Sequence, residues 1–436
     1  MGIKVTKFGG SSVADAIQIG KIKDIIESDA DRKFVVVSAP GKRFDQDSKI
    51  TDLLYSCMMH KEHNLPYDQL FQVICDRFKA VELNLEVDAG LNEEFDIIRD
   101  AIEKGTTEDY IASRGEFLNA KLIAQYLGMD FIDAAGLVQF DEKGRFLEEE
   151  TNQALSEELA KHEKALMPGF YGAKPDGSIK TFSRGGSDIT GALVARAIGA
   201  DVYENWTDVS GFLVADPRIV ENPKPIETIS YKELRELSYM GASVLHEDAI
   251  YPARVANIPI NIRNTNIPED KGTMITAEPD STDRVVTGIA GSKDFTVIAL
   301  YKNRLTAERG FIRRLAGILE DMDINLEHMP SGIDTVSVIV SNDSVDGRID
   351  ELVEEFERQL KPDSMEVFDN MALIATVGCG MSYRTGVSAK LFTALADAGV
   401  NIRMIDQGSS EMNIIVGVEN KDFEKAIRSI YTAFID

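Results

Sequence analysis

An α/β fold is the class this sequence predicts, and three observations carry it. Short apolar runs of the kind buried on both sides in a parallel sheet, VTKF and FVVVSA (34–39), alternate with helical patterns through the first half of the chain. Glycine-rich turns stand where strand gives way to helix, first in KFGGSS and again in SRGGSD. Toward the end, one order of strands and helices occurs twice in succession.

In chain order, VTKF leads into a helix whose Ala16, Ile19, Ile22 and Ile26 share a face, and FVVVSA follows as a buried strand. Helical patterns fill much of 50–127, most clearly IASRGEFLNAKLIAQYL (111–127), before DFIDA, FYGA and DVYENWTDV supply short strands. A sheet with helices on both faces is the expected result. The stretch NTNIPEDKGTMITAEPDSTDR (264–284) collects Pro, Gly, Asp and Thr without periodicity and reads as the end of the large domain. Beyond it, FTVIALYK, GFIRRLAGILEDM, INLEHM and TVSVIV, closed by the helix DGRIDELVEEFERQL, make one unit. MALIATVG, GVSAKLFTALADA, NIRMID and MNIIVGV, closed by KDFEKAIRSIYTAF, make a second. Each is a β-α-β-β-α-β sandwich that buries one sheet face, and such units can bind ligands or simply hold subunits together. Domains are expected at 1–290, 291–365 and 366–436.

The chain has 436 residues, more than one hydrophobic core usually organises, and 44% of them are hydrophobic. With 73 acidic against 47 basic residues its formal net charge is −26, which argues against a nucleic-acid or anionic-membrane partner. A small anionic substrate needs a local cluster of Lys, Arg and main-chain N–H groups to overcome that field. Cys57, Cys75 and Cys379 are scattered without metal spacing, as structural thiols of a reducing compartment are. No apolar run reaches the roughly eighteen residues of a membrane span. A cytoplasmic protein is expected.

In VTKFGGSSVADA, Lys7 stands two residues before Gly9 and Gly10, with Ser11 after them. Glycines admit a close ligand and successive N–H groups at a helix start attract anions, so a polyphosphate suits the turn, as does an ordinary strand-to-helix connection. It is not a Walker A loop, in which the lysine follows the glycines. A second such turn puts Arg184 ahead of Gly185 and Gly186, with Ser187 and Asp188 opening a helix. There Asp188 is held ionised and orients a cation or a hydrogen-bond network, or merely caps the helix. Glu116 is a lone acid near the start of an apolar helix; it is a surface cap, or it pairs with Arg184 to hold the ammonium and carboxylate of an amino acid. None of the five histidines falls in these loops, and His246 in GASVLHEDA reads as structural. A nucleophile that is already an anion needs no base; catalysis then consists of alignment and charge neutralisation by Lys, N–H groups and Mg²⁺.

Together KFGGSS, VVVSAPG…KITDLL, RGEF, SRGGSDITGALVA, WTDVSGF…ADPR, GASVLH and NIRMIDQGSSEMNI resemble the aspartate kinases, an amino-acid kinase fold followed by two ACT domains, over nearly the whole chain. The resemblance implies transfer of the γ-phosphoryl of MgATP to the side-chain carboxylate of L-aspartate, giving 4-phospho-L-aspartate on the way to lysine, methionine and threonine. It implies that Lys7 stabilises the transferring group with Gly9, Gly10 and Ser11 around the phosphates, and that Asp188 organises that lysine. Ser38, Thr51 and Ser187 would line the aspartate pocket, Glu116 would take the ammonium and Arg184 the α-carboxylate. Thr207, Asp208 and Arg218 match the nucleotide-side segment, and magnesium would be held through ATP rather than by a protein cage. Leu213 stands where the family often has Tyr, and Ser243 where it often has Lys, which bears on the nucleotide contacts.

The resemblance further implies an amino-acid effector, lysine, threonine or both, bound at Glu308, Gly310, Phe311, Ile312 and Glu327. It also implies a homodimer or tetramer built through the ACT domains, the second threaded within the first, and no fused homoserine dehydrogenase. Two rivals are a glutamate or acetylglutamate kinase, against which the ACT pair and QGSSE speak, and a non-catalytic sensor, against which Lys7, Asp188, Glu116 and Arg184 speak.

Overall fold

The computed structural model describes residues 2–435 apart from 184, 243, 244, 246, 279–283 and 346. The chain divides into two compact units, one of Met1–Phe212, Pro225–Tyr231 and Val244–Glu278, the other of Leu213–Lys224, Lys232–Ser243 and Pro279–Asp436.

The first unit is built on an eight-stranded sheet in the order Asp130–Phe131, Ala165–Pro168, Arg32–Val37, Lys4–Phe8, Val202–Thr207, Ile260–Asn264, Thr273–Thr276 and Thr228–Ser230. The first six strands are parallel, and the last two run against them. Thr273–Thr276 lies inside the stretch that the sequence suggested was only a domain end, because MIT alternates buried and half-buried positions against Ile260 and Ile262.

Alternation along the central strands decides where the chemistry goes. Phe8 and Trp206 are register partners, and their stacked rings, 6.1 Å apart, join the core formed with Ile19, Ile22, Leu54, Phe71 and Leu118. Lys7 and Asn205, also register partners, therefore face the other side of the sheet, toward the helix Gly186–Ile198. Both are buried. A buried lysine costs free energy unless an anion meets it, so the fold must bring one there.

The second unit holds a five-stranded antiparallel sheet, Thr335–Ser341, Gly288–Tyr301, Ser364–Val377, Asn413–Glu419 and Met404–Asp406. Its two long strands serve both repeats. Residues 295–301 pair with 364–371, while 288–292 pair with 373–377, and the register shifts between Ser292 and Val297. Asp294 and Asn370 take left-handed backbone there, at φ 69° and φ 56°. The boundaries expected at 290/291 and 365/366 thus fall inside strands. The nesting is also the reverse of the one expected: the first repeat is inserted into the second, whose opening strand, 288–292, precedes it in the chain.

INLEHM, expected as a strand, forms only an isolated bridge, His328 to Ile339. Pro330 has no N–H to donate, and its carbonyl accepts from Ser337 at 2.9 Å as the chain turns through Ser331 and Gly332. The helices Phe311–Asp321 and Ile349–Leu360 press Leu315, Ile318, Leu352 and Phe356 into one core. Phe356 is fully buried. Phe356→Ala is expected to cost about 3–5 kcal/mol, read as a lower urea midpoint for this unit with an unchanged slope.

Candidate active site

Parallel strands present their carboxyl ends to one edge of a sheet, where loops gather and ligands bind. At that edge Phe8 runs into Gly9 and Gly10, Val37 into Ser38, Pro168 into Gly169, and Val202–Thr207 ends at Thr207. The Gly9 N–H donates to the Trp206 carbonyl at 3.0 Å, the Ser38 N–H to the Phe8 carbonyl at 3.2 Å and the Gly169 N–H to the Val37 carbonyl at 3.0 Å, tying the loops together.

Beneath the Gly9–Gly10 turn, the Lys7 Nζ lies 2.6 Å from the Asp188 Oδ1. The Asn205 Nδ2 donates to the same oxygen at 2.8 Å, and the Tyr203 hydroxyl donates to the Asp188 carbonyl at 3.1 Å. Asp188 sits in the first turn of Gly186–Ile198, where the helix dipole favours a carboxylate. The Lys7 ammonium is 3.6 Å from where a Cβ on Gly9 would stand, so it lies directly against the turn. Gly10–Val13 forms a short 3-10 helix; Ser11 is exposed, and the buried Ser12 hydroxyl shares a 2.8 Å hydrogen bond with that of Thr265.

Two glycines are required by close approach. A Cβ on Gly41 would lie 2.7 Å from the Gly10 carbonyl carbon, and the Gly41 N–H donates to the Gly10 carbonyl at 2.8 Å. A Cβ on Gly169 would lie 2.6 Å from the Ser187 Cβ, so the turn after Ala165–Pro168 rests on the helix start that carries Ser187 and Asp188.

Glu116 lies in the helix Glu108–Leu127, 6% exposed. Its Oε2 has no hydrogen-bond partner. Burial pushes its carboxyl up to about 8, against the pull of the Ala39 amide and the Arg114 charge. One turn on, the Asn119 Nδ2 donates to the Ser38 carbonyl at 2.8 Å, and Gly115 meets Ala39 closely, so this helix carries the floor of the Ser38 loop. Thr51 is half-buried in the first turn of Ile50–Glu62, whose Ile50 N–H donates to the Pro40 carbonyl at 3.2 Å. A buried carboxyl with one oxygen unpartnered is equipped to receive an ammonium, while the Lys7 side is equipped to receive phosphate oxygens.

The remaining expected residues are placed as follows. Arg184, like Ser243 and His246, lies outside the described residues. The half-buried Thr207 donates its hydroxyl to the exposed Asp208 at 3.1 Å. Arg218 belongs to the second unit, where its exposed guanidinium pairs with Asp216 at 2.6 Å. In that unit Gly310, at φ 78°, caps Phe311–Asp321; Ile312 is exposed, whereas the Phe311 ring is buried in the core and only its main chain can face a ligand. Glu308 pairs with Lys302 at 3.0 Å and with Arg314, and Glu327 accepts from the Tyr239 hydroxyl.

Asn205, Tyr203 and Asn119 were not singled out from sequence. The signal for Asn205 was a polar residue inside the buried run VYENWT, opposite Lys7 in register. Among the described residues no three His, Cys, Asp or Glu side chains converge as a metal site, and no helix is long and apolar enough to cross a membrane.

Residues 2–264 match the amino acid kinase family, and residues 374–434 match an ACT domain. Aspartokinase 3 of Bacillus subtilis (strain 168) is 38% identical over 450 aligned positions, covering 99% of this chain and 98% of its own. Among solved structures, the aspartate kinase of Clostridium acetobutylicum aligns over 100% of both chains with a TM-score of 0.93 at 52% identity. Escherichia coli aspartokinase III aligns over 100% of both chains in two complexes. With aspartate and ADP (R-state) the TM-score is 0.75 at 25% identity. With lysine and aspartate (T-state) it is 0.77 at 26%.

Proposed function

The chain belongs to the amino acid kinase family and, within it, to the aspartokinases; from that premise we propose how this cleft moves the γ-phosphoryl of ATP to the side-chain carboxylate of L-aspartate. The observation that carries the proposal is the buried Lys7, fixed by Asp188 and Asn205 under the Gly9–Gly10 turn. The acceptor, with an ordinary carboxyl pKa of about 3.9, is an anion at neutral pH and needs no base. The barrier is then the repulsion between two negative groups brought into line. Lys7 offsets it from a position set before substrate arrives, so no reorganisation is required during the reaction.

Gly9, Gly10 and Ser11 would cradle the phosphates, and Thr207 and Asp208 would lie along the nucleotide. On the acceptor side Glu116 would take the ammonium, Arg184 the α-carboxylate, and Ser38, Thr51 and Ser187 would complete the pocket. Mg²⁺ requires hard oxygen ligands. Asp188 would be the carboxylate nearest the phosphates, but its Oδ1 is already committed to Lys7 and Asn205, so the ion fits here as a passenger on the nucleotide. Bound there, it would neutralise part of the phosphate charge.

The same proposal includes an amino-acid effector, lysine or threonine, read by the main chain at Gly310–Ile312 and by Glu308 and Glu327. It also includes a homodimer or tetramer formed through the ACT pair, and a cytoplasmic location. Acyl phosphate trapped by hydroxylamine, with aspartate, glutamate and acetylglutamate as acceptors, tests the activity. Turnover with aspartate alone is expected; preference for another acceptor, or none at all, would refute it.

A further inference from the structure

Between Ser38 and Thr51 runs GKRFDQDSK (41–49), exposed over most of its length, with Phe44 57% exposed. Its neck is held by a side chain from elsewhere. Arg77, in the helix Asp68–Leu85 and 7% exposed, donates from Nη1 to the Ser48 carbonyl at 2.6 Å and from Nη2 to the Gly41 carbonyl at 2.8 Å. Its Nη1 also lies 3.6 Å from Asp47. Asp47 accepts from the Arg43 main-chain N–H at 3.0 Å and from the Arg43 Nε and Nη2 at 2.7 and 2.9 Å. The Arg43 side chain, and secondarily Arg77, hold the Asp47 carboxyl well below the usual carboxylate range. A planar guanidinium suits this task because its fork can bridge two fixed acceptors at once.

The two carbonyls so bridged flank the acceptor pocket. Gly41 follows Ser38 by three residues and touches the Gly10 turn; Ser48 precedes Thr51 by three. Arg77 is one of the buried residues of a helix that also buries Phe71, Ile74, Cys75 and Phe78, and a buried arginine is costly unless its donors are met. The helix thus carries a buried cation whose partners, Gly41, Ser48 and Asp47, all belong to this loop.

We propose that Arg77 is a positioning residue for the acceptor: by tying Gly41 to Ser48 it fixes the separation of Ser38 and Thr51, without itself touching substrate. The inference rests on the reading of Ser38 and Thr51 as the aspartate pocket. Misplacement of such groups by about 1 Å costs roughly a hundredfold in rate, so a loose neck is felt at the acceptor.

The test compares wild type, Arg77→Met and Arg77→Lys in steady-state kinetics with aspartate and MgATP varied separately. Arg77→Met should raise the KM for aspartate tenfold or more, with the KM for ATP within threefold of wild type. Arg77→Lys, whose ammonium can reach one carbonyl but not bridge both, should recover part of that loss. An aspartate KM within twofold of wild type in folded Arg77→Met, or an equal rise in both KM values, would overturn the inference. Where Arg77→Met does not fold, Arg77→Lys decides alone: a threefold or greater rise in aspartate KM supports the clamp, and an unchanged one ends it. Wild type without aspartate-dependent turnover would instead remove the pocket reading beneath it.

Discussion

Lys7→Ala is expected to lower kcat about a thousandfold while leaving the KM for aspartate within a few-fold of wild type. Removing one preorganised group aimed at developing charge typically costs 10²–10³ in kcat, and Lys7 is a full cation in a buried setting. The substitution also strands Asp188, which keeps Asn205 but loses its ion-pair partner, adding a negative charge where the phosphates must lie. Asp188→Asn should therefore hurt less, since it keeps the lysine and removes the repulsion. Hydroxylamine trapping at saturating substrates measures both variants. Full activity in Lys7→Ala would contradict the proposed role.

Glu116 should make aspartate binding depend on pH in a direction that can be worked out. With its carboxyl pushed up to about 8 in the empty site, most of it is protonated at pH 7, and a proton competes with the substrate ammonium for the unpaired Oε2. The KM for aspartate is thus expected to fall as pH rises from 6 toward 8, by at most tenfold per unit, and to level off above. Glu116→Gln should flatten the profile and raise the KM about a hundredfold at pH 8, in line with the 2–5 kcal/mol cost of truncating a buried charge pair.

Stability moves the other way. A carboxyl whose folded pKa exceeds its unfolded value of 4.5 holds its proton in the fold between about 4.5 and about 8, so its contribution falls as pH rises through that window. Aspartate reverses this by making the ionised form the bound one. The rise in Tm on adding aspartate should be larger at pH 8.5 than at pH 6; an equal rise would count against Glu116 as the ammonium site.

Much of this was legible in the residues. The strand runs VTKF and DVYENWTDV were visible, and two diglycine turns marked the edge where strands end, but that Lys7 and Asn205 share one side of the sheet and Phe8 and Trp206 the other emerges only from the register. Glu116 stood out as an acid in an apolar helix. What stayed hidden lacked a local pattern. Arg77 reads as one charge on an amphipathic helix, because its partners are main-chain carbonyls about thirty residues earlier. The nesting of the repeats, expected only from the resemblance, is not legible locally: FTVIALYK reads as one strand, and only pairing with Ser364–Val377 gives 288–292 to the other repeat. INLEHM reads as a strand, yet it keeps only the bridge from His328 to Ile339, next to Pro330, which has no N–H to extend the ladder.

That nesting constrains the order in which the second unit can be made. Because 288–292 leave the ribosome before 295–371 but pair with 373–377, the inner repeat can complete its own sheet while the outer one still waits for its strands. Synthesis therefore favours an inside-out assembly, with the outer repeat closing around a finished neighbour. Its first strand must wait for its strand partner across some eighty residues of translation, about four to sixteen seconds at 5–20 residues per second.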